Sequence, residues 1–209
     1  MRRVVVVLAA GCLLGVVGCA AGTGGTAAPV SGSSATESAG SSVGGSGLPH
    51  SGAPAVADPL PESALAGDPC QALTEQQVKD ALGDGGSRDR EGENAVGPFC
   101  RWHDLATGGG VRLSFSVKTR QGLSAYYANT RPQMAVFRDA GPIGGFPAVE
   151  YKTSENDVLC SVAVGLADEY ALDVAVTLSR RNVGKVDSCE PAKTIATWAV
   201  GNLKVKAGG

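Results

Sequence analysis

Two apolar runs near the C-terminal end constrain the fold most. Cys160, Val162, Val164 and Leu166 recur at every second position, and Tyr170, Leu172, Val174, Val176 and Leu178 do the same. A period of two places alternate side chains on one face of a strand. The intervening Ala167-Asp168-Glu169 is short enough to close a hairpin. A hairpin with one continuous apolar face commits the chain to an antiparallel sheet that must be covered on that side.

Other stretches supply further strands. Val111 to Val117 alternates apolar with polar, as a half-buried antiparallel strand does. Phe99 to Asp104 puts Cys100 and Trp102 on one face and Arg101 and His103 on the other. Met134 to Arg138 and Pro147 to Lys152 read as two more, the second entered through the "GPIGGFP" turn, Gly141 to Pro147. Gly85 to Gly97 is Gly-rich and polar and reads as a loop, with Asp89 to Glu93 solvated.

Helices bracket these strands. Thr74 and Gln77 form a capping box ahead of an apolar face made by Val78, Ala81 and Leu82, and Gly83 ends that helix. Leu123 to Thr130 reads as a short helix stopped by Pro132. Ser188 is placed to cap a last helix whose buried stripe is Ala192, Ile195, Ala196, Ala199 and Leu203, with Pro191 tolerated in the first turn. The expected fold is a single α+β domain over residues 68–209, an antiparallel sheet with helices packed on one face.

The N-terminus predicts an address. Met1-Arg2-Arg3 is followed by an apolar stretch from Val4 to Val17, the form of a secretory signal. That stretch is shorter than the roughly 20 residues a membrane span needs. Val16-Val17-Gly18-Cys19 resembles a bacterial lipobox. The resemblance implies a signal peptide over residues 1–18 and a diacylglyceryl thioether on Cys19, hence attachment to the outer face of the cell membrane.

Residues 19–67 then read as a flexible, lipid-anchored tether. From Ala20 to Ala66 there is no Lys, Arg or aromatic residue, and Gly, Ser, Ala, Thr and Pro dominate. Such a composition buries too little apolar surface to offset the entropy of ordering. Gly40-Ser41-Ser42-Val43-Gly44 matches a serine-hydrolase pattern, but in a low-complexity tract that match has no supporting strand-to-helix turn.

Of the six cysteines, Cys12 falls in the signal peptide and Cys19 at the lipobox; export makes the other four, Cys70, Cys100, Cys160 and Cys189, disulfide candidates. Three pairings are possible. Cys70–Cys100 and Cys160–Cys189 are favoured, since each closes a loop of about thirty residues and staples a helix to a strand. No Cys-x-x-Cys occurs, and His50 and His103 are the only histidines, so neither a metal nor a cofactor is expected. All but two of the 18 Lys and Arg, and all but three of the 20 Asp and Glu, lie beyond residue 67. That near balance argues against a nucleic-acid partner.

Five motifs fall in a specific order: Cys70-Gln71-Ala72-Leu73-Thr74, the "CRW" at Cys100, the "GGFPAV" turn at Gly144 to Val149, the strand cysteine Cys160, and "DSCEPA" at Asp187 to Ala192. In that order they resemble the domain of unknown function 3558 family of actinobacterial lipoproteins. The resemblance implies an envelope lipoprotein without an established activity, and it carries no catalytic residues to transfer. Trp102 reads as core beside a disulfide, His103 as exposed, and Trp198 as a packing anchor. The turn containing Gly141, Gly144, Gly145 and Phe146 is the candidate binding loop, because its glycines permit close approach of a partner. The expected function is a monomeric, non-catalytic envelope module that binds a partner protein, a wall polymer or a small apolar ligand. The alternative is an extracellular hydrolase.

Overall fold

The structure is a computed structural model that describes residues 47–208. Seven strands follow in chain order: β1 (Ser87–Glu93), β2 (Pro98–Asp104), β3 (Gly109–Ser116), β4 (Val136–Asp139), β5 (Ala148–Lys152), β6 (Leu159–Gly165) and β7 (Ala171–Thr177). Three α-helices accompany them: α1 (Glu75–Leu82), α2 (Gly122–Ala125) and α3 (Cys189–Lys206). The strands form one fully antiparallel sheet in the order β1-β2-β3-β7-β6-β5-β4.

The predicted hairpin forms its centre. Cys160 faces Val176, Val162 faces Val174, and Val164 faces Leu172 across β6 and β7. The amides of Leu166 and Ala167 both donate to the Tyr170 carbonyl and close the turn. β3 docks on the far side of β7, with Val111, Leu113 and Phe115 opposite Val176, Val174 and Leu172. These side chains make one apolar face, and α3 lies over it. Ala192, Ala196, Ala199 and Val200 are wholly buried there, with Ile195 and Leu203 nearly so. The short α1 joins the same core through Val78. Its capping box is formed in both directions, Gln77 N to Thr74 Oγ1 at 3.2 Å and Thr74 N to Gln77 Oε1 at 2.8 Å.

Both expected disulfides, Cys70–Cys100 and Cys160–Cys189, are formed. The first ties a 3-10 turn (Pro69–Ala72) to β2, and the second ties the first residue of α3 to β6.

Four local readings differ from the structure. Residues 87–93 are an edge strand, not a loop. All seven are exposed, so no apolar alternation marked them; backbone pairing with β2 holds them, with ion pairs from Asp89 to Arg101 and from Glu93 to Lys118. Ser188 does not cap α3. Asp187 does, accepting from Cys189 N at 2.8 Å, while the Ser188 hydroxyl donates to Asp157 O at 2.8 Å. The helix expected over 123–130 is α2 followed by a wider turn over Tyr126–Thr130 and a 3-10 turn over Arg131–Gln133.

The fourth concerns residues 47–67, read as tether, which lie against the domain. Leu60, Ala64 and Leu65 are buried in the main core. Leu60 N donates to Leu166 O at 2.8 Å, the Tyr170 hydroxyl donates to Leu60 O, and Val56 N donates to Asp168 Oδ1 at 2.9 Å. Composition alone misjudges this stretch because three apolar side chains suffice once the domain supplies partners for the backbone.

Candidate functional site

The second face of the same sheet is different in kind. Alternation sends Arg112, Ser114 and Ser116 of β3, and Asp173 of β7, away from the core; Ser114 lies directly across from Asp173. Ser161 of β6 and Tyr151 of β5 continue this polar surface and pair with each other. The segment 122–133 covers one end of this face. Leu123 packs there with Val149 and Ala163, flanked by Tyr127 and Phe137, whose rings meet edge-on at 5.1 Å.

Between that cover and the bare strands lies a cavity of about 280 Å³. Asp173 sits in it as a buried carboxylate, 3% exposed. Arg112 Nη2 donates to its Oδ1 at 3.3 Å and the Tyr151 hydroxyl donates to its Oδ2 at 2.5 Å. Burial pushes the Asp173 carboxyl above the ordinary carboxylate range, and the Arg112 charge and the Tyr151 hydrogen bond pull it back. Burial, followed by the Asp173 charge, raises the phenols of Tyr126 and Tyr151 as well, so both keep their protons. Tyr126 shares a 2.8 Å hydrogen bond with Ser116 Oγ.

Two polar atoms in this wall have no hydrogen-bond partner among the described residues: Ser114 Oγ and Arg112 Nε, both buried. Buried polar groups are nearly always satisfied, so two unmade bonds in one cavity wall single it out. On the far side of Arg112 is a second cavity, of about 330 Å³, with Arg101, His103, Ser161 and Thr177 in its walls. Arg112 lines both. Arg101 is paired with Asp89 at 3.8 Å.

Two buried charges, Glu150 and Lys152, lie on the core side near the β4 edge, each with more exposed partners. Arg138 Nε donates to Glu150 Oε1 at 2.5 Å, and Lys193 Nζ is 3.7 Å from Glu150 Oε2. Lys152, also buried, pairs with Asp187 at 3.2 Å. The backbone amide of Cys189 first, and Lys152 after it, hold the Asp187 carboxyl below its ordinary value. These groups fasten the start of α3 and line neither cavity.

The residues singled out in the sequence distribute as follows. Gly141, Gly144, Gly145 and Phe146 form a tight turn in which Ile143 and Phe146 exchange backbone hydrogen bonds of 2.9 and 3.1 Å. Phe146 is 6% exposed and belongs to the main core. Gly144 has φ +60, and a Cβ there would stand 2.5 Å from Val200 Cγ1. Gly144 thus serves close packing on α3, Gly141 and Gly145 have open space around them, and the turn lines neither cavity. Trp102 is in the core beside Cys100, and Trp198 is packed partly buried against it. Cys19 and the 40–44 pattern lie outside the described residues. Asp68, Cys70 and Glu91 cluster as metal ligands do, but the Cys70 sulfur is committed to a disulfide and offers no thiolate.

The cavity residues were not singled out in the sequence. One signal was present: Asp173 is the single charged residue in a strand whose other positions, apart from the terminal Thr177, are Ala, Leu and Val. A charge inside a doubly apolar run needs a buried partner.

Searches of curated proteins and of solved structures gave no significant match. A family model described as "Protein of unknown function (DUF3558)" matches residues 14–202. That match spans the sheet, both disulfides and nearly all of α3, and the chain belongs to this family.

Proposed function

We propose that the chain is a lipid-anchored envelope lipoprotein whose folded domain is a non-catalytic binding module, with its ligand in the cavities on the second face of the sheet. The observation that carries this reading is the pair of unpartnered buried groups, Ser114 Oγ and Arg112 Nε, in the wall of a solvent-open cavity. A polar ligand satisfies them where a small apolar one leaves them unmade. The lipobox-like Val16-Val17-Gly18-Cys19 and the two disulfides support an exported, anchored protein. His103 lines the second cavity without a hydrogen bond to a nucleophile or acid among the described residues, so no specific contact favours the hydrolase alternative.

Native mass spectrometry of the full chain, purified from membranes in mild detergent, tests both parts. The expected chain begins at Cys19, carries a diacylglyceryl mass and retains a small polar adduct. Cys19→Ser should move the protein from the membrane pellet to the soluble fraction. An unmodified chain that stays in the pellet would remove the anchor. A chain that holds no adduct and takes up none from a membrane extract would remove the binding module.

A further inference from the structure

The walls of the two cavities narrow the ligand further. Their charges cancel. In the first cavity the charged groups are Arg112 and Asp173, paired with each other at 3.3 Å. In the second, Arg101 is paired with Asp89, and Arg112 is the one already balanced by Asp173. A ligand with a net charge would give up its hydration and find no free counterion.

What the walls offer in place of charge is hydroxyls and amides. Ser114, Ser116, Thr119, Asn129 and Tyr126 line the first cavity. Ser161 and Thr177 line the second. The open valences are complementary: Arg112 Nε can only donate, Asp173 can only accept, and Ser114 Oγ can do either. A ligand hydroxyl accepts and donates at one oxygen, so it bridges such a set, which a bare ammonium or carboxylate group cannot do. Tyr126 and Tyr151 add ring surface, with centroids 6.0 Å apart and a tilt of 47°, where the C–H face of a sugar ring packs.

Shape gives the length. Each cavity alone is close to the small end of ordinary ligand pockets, about 300 Å³, but the two flank one side chain, Arg112, on one sheet face. Resting on the binding-module reading above, we propose that the trough spanning both cavities binds an uncharged oligosaccharide, with Arg112, Ser114 and Asp173 holding its hydroxyls at the centre. Ser114 is the discriminating residue. Its hydroxyl makes no hydrogen bond in the unliganded fold, so its loss removes a ligand contact without removing one that holds the fold.

The test is an array of neutral oligosaccharides built from glucose, mannose, galactose and N-acetylglucosamine, beside uronic-acid oligosaccharides, probed with the full chain. Calorimetric titration of the best binder, and of palmitate as an apolar probe, follows. A neutral oligosaccharide is expected to bind saturably, and Ser114→Ala to weaken it about tenfold while leaving the thermal midpoint equal or higher. Three results overturn the proposal: no neutral member binds; a neutral member binds but Ser114→Ala and Arg112→Gln leave its affinity unchanged; or an acidic oligosaccharide or palmitate binds more tightly than any neutral one. In the last case, dependence on Ser114 and Arg112 would keep the binding module and discard the sugar, so the two failures are distinguishable.

Discussion

Asp173 is flanked in the chain by Leu172 and Val174, both fully buried, and its carboxylate is 3% exposed on the opposite face. Burial raises its pKa above the unfolded value of 3.8. The folded chain therefore holds this proton more tightly than the unfolded chain. The group's contribution to stability is full below 3.8 and falls as pH rises through the raised value. Asp173→Asn abolishes that fall. Urea unfolding of both proteins across this range should show the wild type losing stability relative to Asp173→Asn as pH increases. A difference that stays constant with pH would mean that the carboxylate is solvated in solution. The neighbouring Ser114 was legible in the sequence only as a polar position in an alternating strand. Its missing hydrogen bond depends on partners from β7 and on the cover made by 122–133, which no local pattern encodes.

At the scale of elements, the readable parts are those with a periodicity or a cap. β3, β6, β7, α1 and α3 all have one, and each was read to within a few residues. β1 has neither. Its row of charges blunts an exposed sheet edge, where unpaired backbone invites association, and such a strand looks like a loop in sequence. The cysteines carry information of another kind, linking distant elements. Cys160–Cys189 fixes the first turn of α3 over β6. Removing it by the double substitution Cys160→Ala and Cys189→Ala should cost about 2–4 kcal/mol, read as a lower denaturant midpoint. The same double substitution should make amides in the first turn of α3 exchange faster than those near Leu203. Uniform loss of protection along α3 would show that packing of its apolar stripe, not the disulfide, secures that end.

The whole molecule begins earlier than its composition suggests. Leu60, 7% exposed, and the nearly buried Ala64 and Leu65 belong to the main core. Arg120 reaches back to Glu62 at 2.6 Å, and Lys206 Nζ donates to Ala66 O at 2.5 Å. Burial of one leucine is worth about 1.5–3 kcal/mol. A chain starting at Asp68 should therefore unfold at a lower temperature than one starting at Gly47, and the single substitution Leu60→Ala in the longer chain should reproduce much of the loss. Equal melting temperatures would return residues 47–67 to the tether.

The sheet's alternation has a consequence for how such a protein can change. Val111 apart, which belongs to the core and also lines the second cavity, positions 113 and 115 build the core while 112, 114 and 116 line the proposed trough, on one strand. The same holds for 172, 174 and 176 against 173, 175 and 177. The core and the proposed trough thus draw largely on alternate letters of the same strands. On the proposed reading, a lineage can rewrite what the trough recognises by exchanging alternate residues while the core, its helix and its two disulfides stay as they are. One scaffold can in this way diversify into many recognisers without passing through an unfolded ancestor.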